Sequence, residues 1–270
     1  PGYKNQDDEH WERPLAMREP RTLEEFSLNS KPISAQDFDA ERLARRAEHL
    51  TRSAPERVSH HALDLTDGHA VARLVATIET DTGGLDVLVN NAGITHRSLA
   101  CHTDAAVLRR VMAVDWQAPV ELTLALMPLL RASRGQIINI GSMAGWMPVL
   151  GRSGYCSAKA ALGQFFETLR SEIAADGIHI LMIYPSFLDT PIETNALGGD
   201  GRPAAHKRST VGSIRTADWM AERIIAAARR RDRRLFPDRL TWFSSLLWRL
   251  APDVYQRLMV RKLGSELDAR

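Results

Sequence analysis

GQIINIGSMAGWMPVLGRSGYCSAKAALGQF, residues 135–165, is the stretch whose reading decides the fold. It opens on a short apolar run, IINI, that reads as a buried strand. A Gly-Ser turn follows, and then, from about Gly154, comes a long stretch with helical spacing. Tyr155 and Lys159 are four apart, so on that helix they share a face, one turn from each other. Ser142 sits just past the strand, thirteen residues before the tyrosine. A free phenol has a pKa of about 10, and a fixed ammonium beside it favours the phenolate. A hydroxyl facing that phenol can hold a carbonyl oxygen between the two. Tyr-x-x-x-Lys alone has a bland reading as well, a half-exposed tyrosine above a solvated lysine.

Working outward, the same rhythm repeats. Upstream, LDVLVNNAGITHRS (residues 85–98) is a buried strand running into a loop, and RVSHHALDL (57–65) reads as another strand. Thr66 or Asp67 is placed to cap a helix that continues to about Asp81. Residues 39–50 form an amphipathic helix with an acidic first turn. Residues 104–131 read as helix, with Pro119 marking a boundary or kink. Downstream, the helix from Gly154 to Ala175 stops near Gly177, IHILMIYP (178–185) is a strand, and Thr216–Arg230 is helix. Residues 187–215, with Gly198, Gly199 and Gly201, read as a mobile loop. Strands alternating with helices imply right-handed crossovers and a parallel sheet. The expected fold is therefore a three-layer α/β, Rossmann-like domain over residues 38–238. Residues 1–37 carry thirteen charged residues against ten apolar ones and four prolines, and read as an irregular arm. Residues 239–270 form a C-terminal extension.

Composition excludes several classes. At 270 residues with 44% apolar side chains, the chain suits one large domain with a sizeable core. A net charge of +2 gives no bulk reason to expect nucleic acid. Cys101 and Cys156 do not make a disulfide framework, so a reducing cytoplasm is expected. The nine histidines are scattered and no metal site is expected. No run of about 18 apolar residues exists to span a bilayer. Between residues 239 and 263, Leu240, Phe243, Leu247 and Leu250 recur at helical spacing beside Trp242 and Trp248, after the run RRRDRR (229–234). Core or subunit packing, a lid over an apolar substrate, and a peripheral helix on a membrane surface are the three readings of that stretch.

Taken with NNAG (90–93) and PSFLDT (185–190), the Ser142, Tyr155 and Lys159 pattern resembles the classical short-chain dehydrogenase/reductase family, over roughly residues 38–240. The resemblance implies an oxidoreductase using NAD or NADP, with NADP preferred, on a small-molecule alcohol/carbonyl pair, an apolar one by preference. Tyr155 would be the general acid/base, Lys159 its pKa-lowering partner and a ribose ligand, and Ser142 the group that orients the substrate oxygen. Asn91, Ala92 and Gly93 would lie against the adenosine half of the cofactor. Asp64 would contact the adenine, with Leu65 lining its pocket, although Asp64 also reads as a helix cap. Pro185, Ser186, Leu188 and Thr190 would cover the nicotinamide. The family's usual homodimer or homotetramer carries over as an expectation.

Two departures stand out. The family's fourth catalytic position, an asparagine, is Asp115 in VMAVDWQAPVEL (111–122). Ionised aspartate accepts but does not donate, so Asp115 either accepts from a relay water or pairs with Lys159. The second departure is the glycine-rich phosphate turn. After Gly2 the next glycine is Gly68, so no such turn lies between them. KPISAQ (31–36) is a poor second strand because of Pro32. The alternatives are an unusual arm filling the gap, or a truncated or frame-shifted product, a non-catalytic derivative that binds without a working pyrophosphate site.

Overall fold

The computed structural model describes residues 61–205, 210 and 212–264. The expected arm over residues 1–37, the helix at 39–50 and the KPISAQ segment lie outside the described residues.

Four parallel strands form the main sheet: β1 (Val87–Asn90), β2 (Gln136–Ile140), β3 (His179–Ile183) and β6 (Arg234–Leu235), in the order β1-β2-β3-β6. Their side chains alternate as a pleated sheet requires. Leu88, Ile137, Ile180 and Met182 face one side, while Val89, Ile138, Leu181 and Ile183 face the other, and both sets are buried. Burial on both faces explains why the strands read as unbroken apolar runs and not as alternating ones. The first face packs against α1 (Gly68–Thr82), α3 (Ala118–Ala125), α4 (Met127–Ser133) and α5 (Ser153–Glu172). The second face takes Met220, Ile224 and Ala227 of α6 (Ala217–Arg229). This is the three-layer parallel arrangement expected from the alternating pattern.

Local chemistry sets the boundaries. Asp67 caps α1, its carboxylate accepting from the His69 and Ala70 N–H groups, and Gly83 ends the helix in the left-handed region. Thr216 caps α6 through the Trp219 N–H. α5 ends at Glu172, and after one 3-10 turn (Ala174–Asp176) Gly177 takes a positive φ of 72°.

Several expectations need correction. Residues 104–131 are not one helix. α2 (Ala105–Met112) runs into a π turn at Ala113–Gln117, then α3, and α4 follows a break at Leu126; Pro119 and Pro128 sit in the first turns of α3 and α4, where a missing N–H costs nothing. Residues 61–64, the described end of the expected RVSHHALDL strand, carry no strand. Among the described residues of the 187–215 loop there is regular pairing: β4 (Leu188–Asp189) pairs with β5 (Arg215–Thr216), and Leu197 bridges to His96 and Pro203. The C-terminal amphipathic stretch is two helices, α7 (Arg239–Leu250) and α8 (Pro252–Leu263), separated at Ala251 before Pro252.

Candidate active site

All the main strands run the same way, so the ends of β1, β2 and β3 open on one edge of the sheet, where α/β proteins bind ligands. At that edge β1 yields Asn90–Gly93, β2 yields Gly141 and Ser142, and β3 yields Tyr184 and Pro185. Asn90 is buried and ties the edge together, its amide donating to Thr123 Oγ1 (3.0 Å) on α3 and Asn139 Oδ1 (2.8 Å) on β2.

Ser142 is held by a 3-10 turn at Met143–Gly145, where its Oγ accepts from the Ala144 N–H at 3.1 Å. That turn lies directly on α5. A Cβ on Gly145 would meet the Lys159 carbonyl oxygen at 2.6 Å, so only glycine permits the approach that brings Ser142 beside Tyr155 and Lys159. Pro185 braces the turn from the far side, its carbonyl accepting from the Met143 N–H.

Lys159 is 4% exposed, which removes the reading of it as a solvated lysine. Its Nζ donates to the Ile140 carbonyl (3.1 Å), lies 3.5 Å from Asp115 Oδ1, and sits 5.8 Å from the centre of the Tyr155 ring. Asp115 is wholly buried at the centre of the π turn. It pairs with Lys159 and accepts from the Ile94 N–H at 3.0 Å, while its second oxygen, Oδ2, has no partner among the described residues. Of the two roles open to it in the sequence, pairing with Lys159 is the one seen. Gly93 lies against this pair, and a Cβ there would meet Asp115 Oδ1 at 2.6 Å.

Burial pushes the Asp115 carboxyl up to about 6, against the pull of Lys159 and of its two hydrogen bonds. Burial also raises the Tyr155 phenol. Lys159 lowers it as expected from the spacing, but Asp115 opposes Lys159, while Ser142 and Arg152 pull it down, and the net direction is upward. Neighbouring charge was legible in the spacing, whereas the exclusion of water was not.

Asp64 accepts from the Thr66 N–H and hydroxyl, closing the turn before α1, and Leu65 packs into the core with Val71 and Leu88. The cap of α1 is Asp67 and not Asp64, whose carboxylate closes the preceding turn, and Leu65 is 7% exposed and so shows little surface to a ligand. Asn91 is exposed and Ala92 half-buried at the rim. Ser186 and Leu188 line a cavity with Phe187, Arg215, Trp219 and Leu240, and Thr190 directly follows β4.

A second polar cluster escaped the sequence. Arg97 and Arg152, both buried, converge on Glu193 of the 187–215 loop at 2.9 and 3.1 Å. Arg152 also donates to Thr95 Oγ1, and His96 Nε2 accepts the Gly154 N–H at 2.9 Å, satisfying an end donor of α5 next to Tyr155. Burial, with help from Arg152, pushes the His96 pKa down to about 4, which keeps the ring neutral. The residues that meet here lie 41 to 96 positions apart, beyond any local pattern. The cluster pins the loop, so Glu193→Gln is expected to cost about 2 kcal/mol, read from denaturant midpoints, because the hydrogen bonds from two guanidiniums lose their charged acceptor. An unchanged midpoint would show that the cluster carries no load.

Residues 26–199 match the family model described as short chain dehydrogenase. The bovine dehydrogenase/reductase SDR family member 7B is 31% identical over 235 residues, covering 84% of this chain and 72% of that protein. The rat protein of the same name is 32% identical over 205 residues, 75% and 63% respectively. The SDR family protein 7-like of Anopheles gambiae is 32% identical over 235 residues, 81% and 73%. The chain therefore spans 63% to 73% of the length of these relatives. Among solved structures, a short-chain dehydrogenase from Streptomyces avermitilis superposes with a TM-score of 0.66 at 27% identity, over 82% of this chain and 86% of that one. A metagenomic short-chain oxidoreductase in complex with NADP gives 0.52 at 30% identity, over 55% and 68%.

Proposed function

The chain belongs to the short-chain dehydrogenase/reductase family, and from that premise we propose that it is an NAD(P)-dependent oxidoreductase interconverting an alcohol and a carbonyl, with Tyr155 as general acid/base. The observation that carries this reading is the convergence of Ser142, Tyr155 and a buried Lys159 at the carboxyl edge of the sheet.

The donor set fits a nicotinamide nucleotide. Lys159 has three N–H donors, and two acceptors, Ile140 O and Asp115, face it among the described residues. One donor remains to meet a ribose hydroxyl. The nicotinamide, when bound, gives or takes the hydride. Of the two cofactors our reading favours NADP, with the NADP complex of the metagenomic relative as its support.

The chain's own part is proton transfer and orientation. Ser142 Oγ accepts from Ala144, so its own proton is free to point at the substrate oxygen. Tyr155 Oη donates to the same oxygen in reduction and takes the proton back in oxidation. Lys159 opposes the burial that raises the phenol, and Asp115 with the Ile140 carbonyl fixes the Lys159 ammonium. Such positioned acid–base catalysis is worth about 10²- to 10⁴-fold. The cavity beside Ser186–Leu188 has apolar walls in Phe187, Trp219 and Leu240 and charged ones in Arg215 and Asp238.

A second reading is a binding protein of this family without turnover, favoured by the absence of any glycine between Gly2 and Gly68. Titration of the purified chain with NADH and NADPH, followed by nicotinamide fluorescence, separates the two. Saturable micromolar binding, tighter for NADPH, is the expected result. No binding up to millimolar, with the fold verified by circular dichroism, would leave the second reading.

A further inference from the structure

α7 is turned inside out. On the side packed against the domain it buries Thr241 (2% exposed) and Ser245 (4%), while Leu240, Trp242, Phe243, Leu246 and Leu250 face outward, Phe243 at 58% and Leu250 at 75% exposed. An amphipathic helix ordinarily buries its apolar stripe. Here the inner face is fastened by polar and aromatic contacts. The Tyr255 hydroxyl of α8 donates to the Pro148 carbonyl at 2.8 Å, the Arg249 guanidinium lies 3.9 Å over the Trp146 ring, and Trp248 packs edge-on against Tyr255. Those contacts set the orientation, and the apolar stripe is left pointing out.

The charge around that stripe names its occupant. From Arg239 to Gly264, the span of the two helices, the chain carries four arginines and one lysine against one aspartate, a net of +4, whereas the whole chain carries +2. α7 contains no acidic residue. Helical spacing puts Arg239 on the same side as Leu246 and Leu250, and Arg257 and Arg261 on the same side as the exposed Val254 and Leu258 of α8. A second copy of this chain is a poor occupant, because an isologous contact sets one +4 helix pair against another. Apolar and aromatic side chains rimmed by arginines suit the boundary of a bilayer with negatively charged headgroups.

We propose that α7 and α8 seat the protein on an anionic phospholipid surface, Trp242, Phe243 and Leu250 entering the headgroup–acyl boundary and the arginines meeting phosphate and carboxylate. Leu240 belongs both to this face and to the cavity beside Ser186–Leu188, so the lipid-facing side adjoins the cleft. The inference does not depend on the catalytic reading, and a protein with no turnover would still bind.

The test is co-sedimentation of the full chain with vesicles of phosphatidylcholine alone or with about one third phosphatidylserine, at low and high salt, with size-exclusion chromatography alongside. Binding to the phosphatidylserine vesicles, weakened by salt, is expected. Phe243→Ser combined with Leu250→Ser should lower it at least tenfold with cofactor binding and circular dichroism unchanged, since both side chains are exposed. Three outcomes overturn the proposal: no binding to either vesicle; equal binding by the double variant, which would mean charge attraction without insertion; and a lipid-free dimer that the double variant dissociates, which would assign the stripe to a second copy.

Discussion

Tyr155→Phe lowers kcat by about 10²- to 10⁴-fold and leaves the unfolding midpoint nearly where it was. The substitution removes one hydroxyl from a half-buried ring and keeps the rest of its packing, a change worth no more than about 1 kcal/mol. The loss of rate comes from what that hydroxyl faces. Ser142 Oγ gives one of its two lone pairs to the Ala144 N–H and can orient an oxygen, but an alcohol is a far weaker acid than a phenol and does not take over the proton transfer. Lys159 is held by Ile140 and Asp115 with its Nζ 5.8 Å from the centre of the ring. Neither group replaces the phenol. Because burial raises the phenol above its ordinary value, the wild-type tyrosine is protonated at neutral pH, the form needed for carbonyl reduction. The variant should bind NADPH as before, since Lys159 is untouched. Steady-state kinetics and thermal unfolding on the same preparation decide it: a Tyr155→Phe chain with wild-type kcat would end the acid/base assignment, and one that fails to fold would move the role of Tyr155 from chemistry to structure.

How much of this was legible in the sequence follows from how local each feature is. β2, β3 and α5 are marked by short apolar runs bounded by glycine and by a 3.6 period ending near Gly177. Each signal lies within a few residues of what it specifies. Ser142, Tyr155 and Lys159 are legible for the same reason, because one strand, one turn and one helix place them all. The π turn at Ala113–Gln117 was not legible. A five-residue widening leaves the apolar spacing almost unchanged, yet it is what points Asp115 at Lys159. The Arg97–Glu193–Arg152 cluster joins three distant segments, and charges of that kind ordinarily read as a solvated surface. For α7 the periodicity identified an apolar stripe but not its direction, since period alone does not say which side of a helix meets the protein.

Lys159→Met carries the second large effect, and it falls on stability as well as on turnover. Asp115 is wholly buried, and without Lys159 its remaining partner among the described residues is the Ile94 N–H. Removing one member of a buried pair strands the other, at a cost of about 3–5 kcal/mol. The pH dependence has a definite sign. With Lys159 present the folded carboxyl already titrates near 6, above its unfolded value, because desolvation outweighs the lysine. A raised carboxyl binds its proton more tightly in the folded state, so its penalty is absent below the unfolded value near 4, grows as pH rises, and is complete once pH exceeds the folded value. In Lys159→Met the folded value moves higher still, which widens that window. The variant should therefore be close to wild type in stability at pH 4 to 5 and much weaker at pH 8. Adding Asp115→Asn, which has no charge to strand, should restore most of the pH 8 stability and none of the turnover, because the cation beside Tyr155 is still missing. Denaturant midpoints for the two single variants and the pair at pH 5 and pH 8, with kcat for each, complete the cycle. A Lys159→Met protein whose stability does not change between those pH values would mean that Asp115 binds its proton no more tightly folded than unfolded, so that burial does not raise it and the carboxylate is not stranded when the lysine is gone.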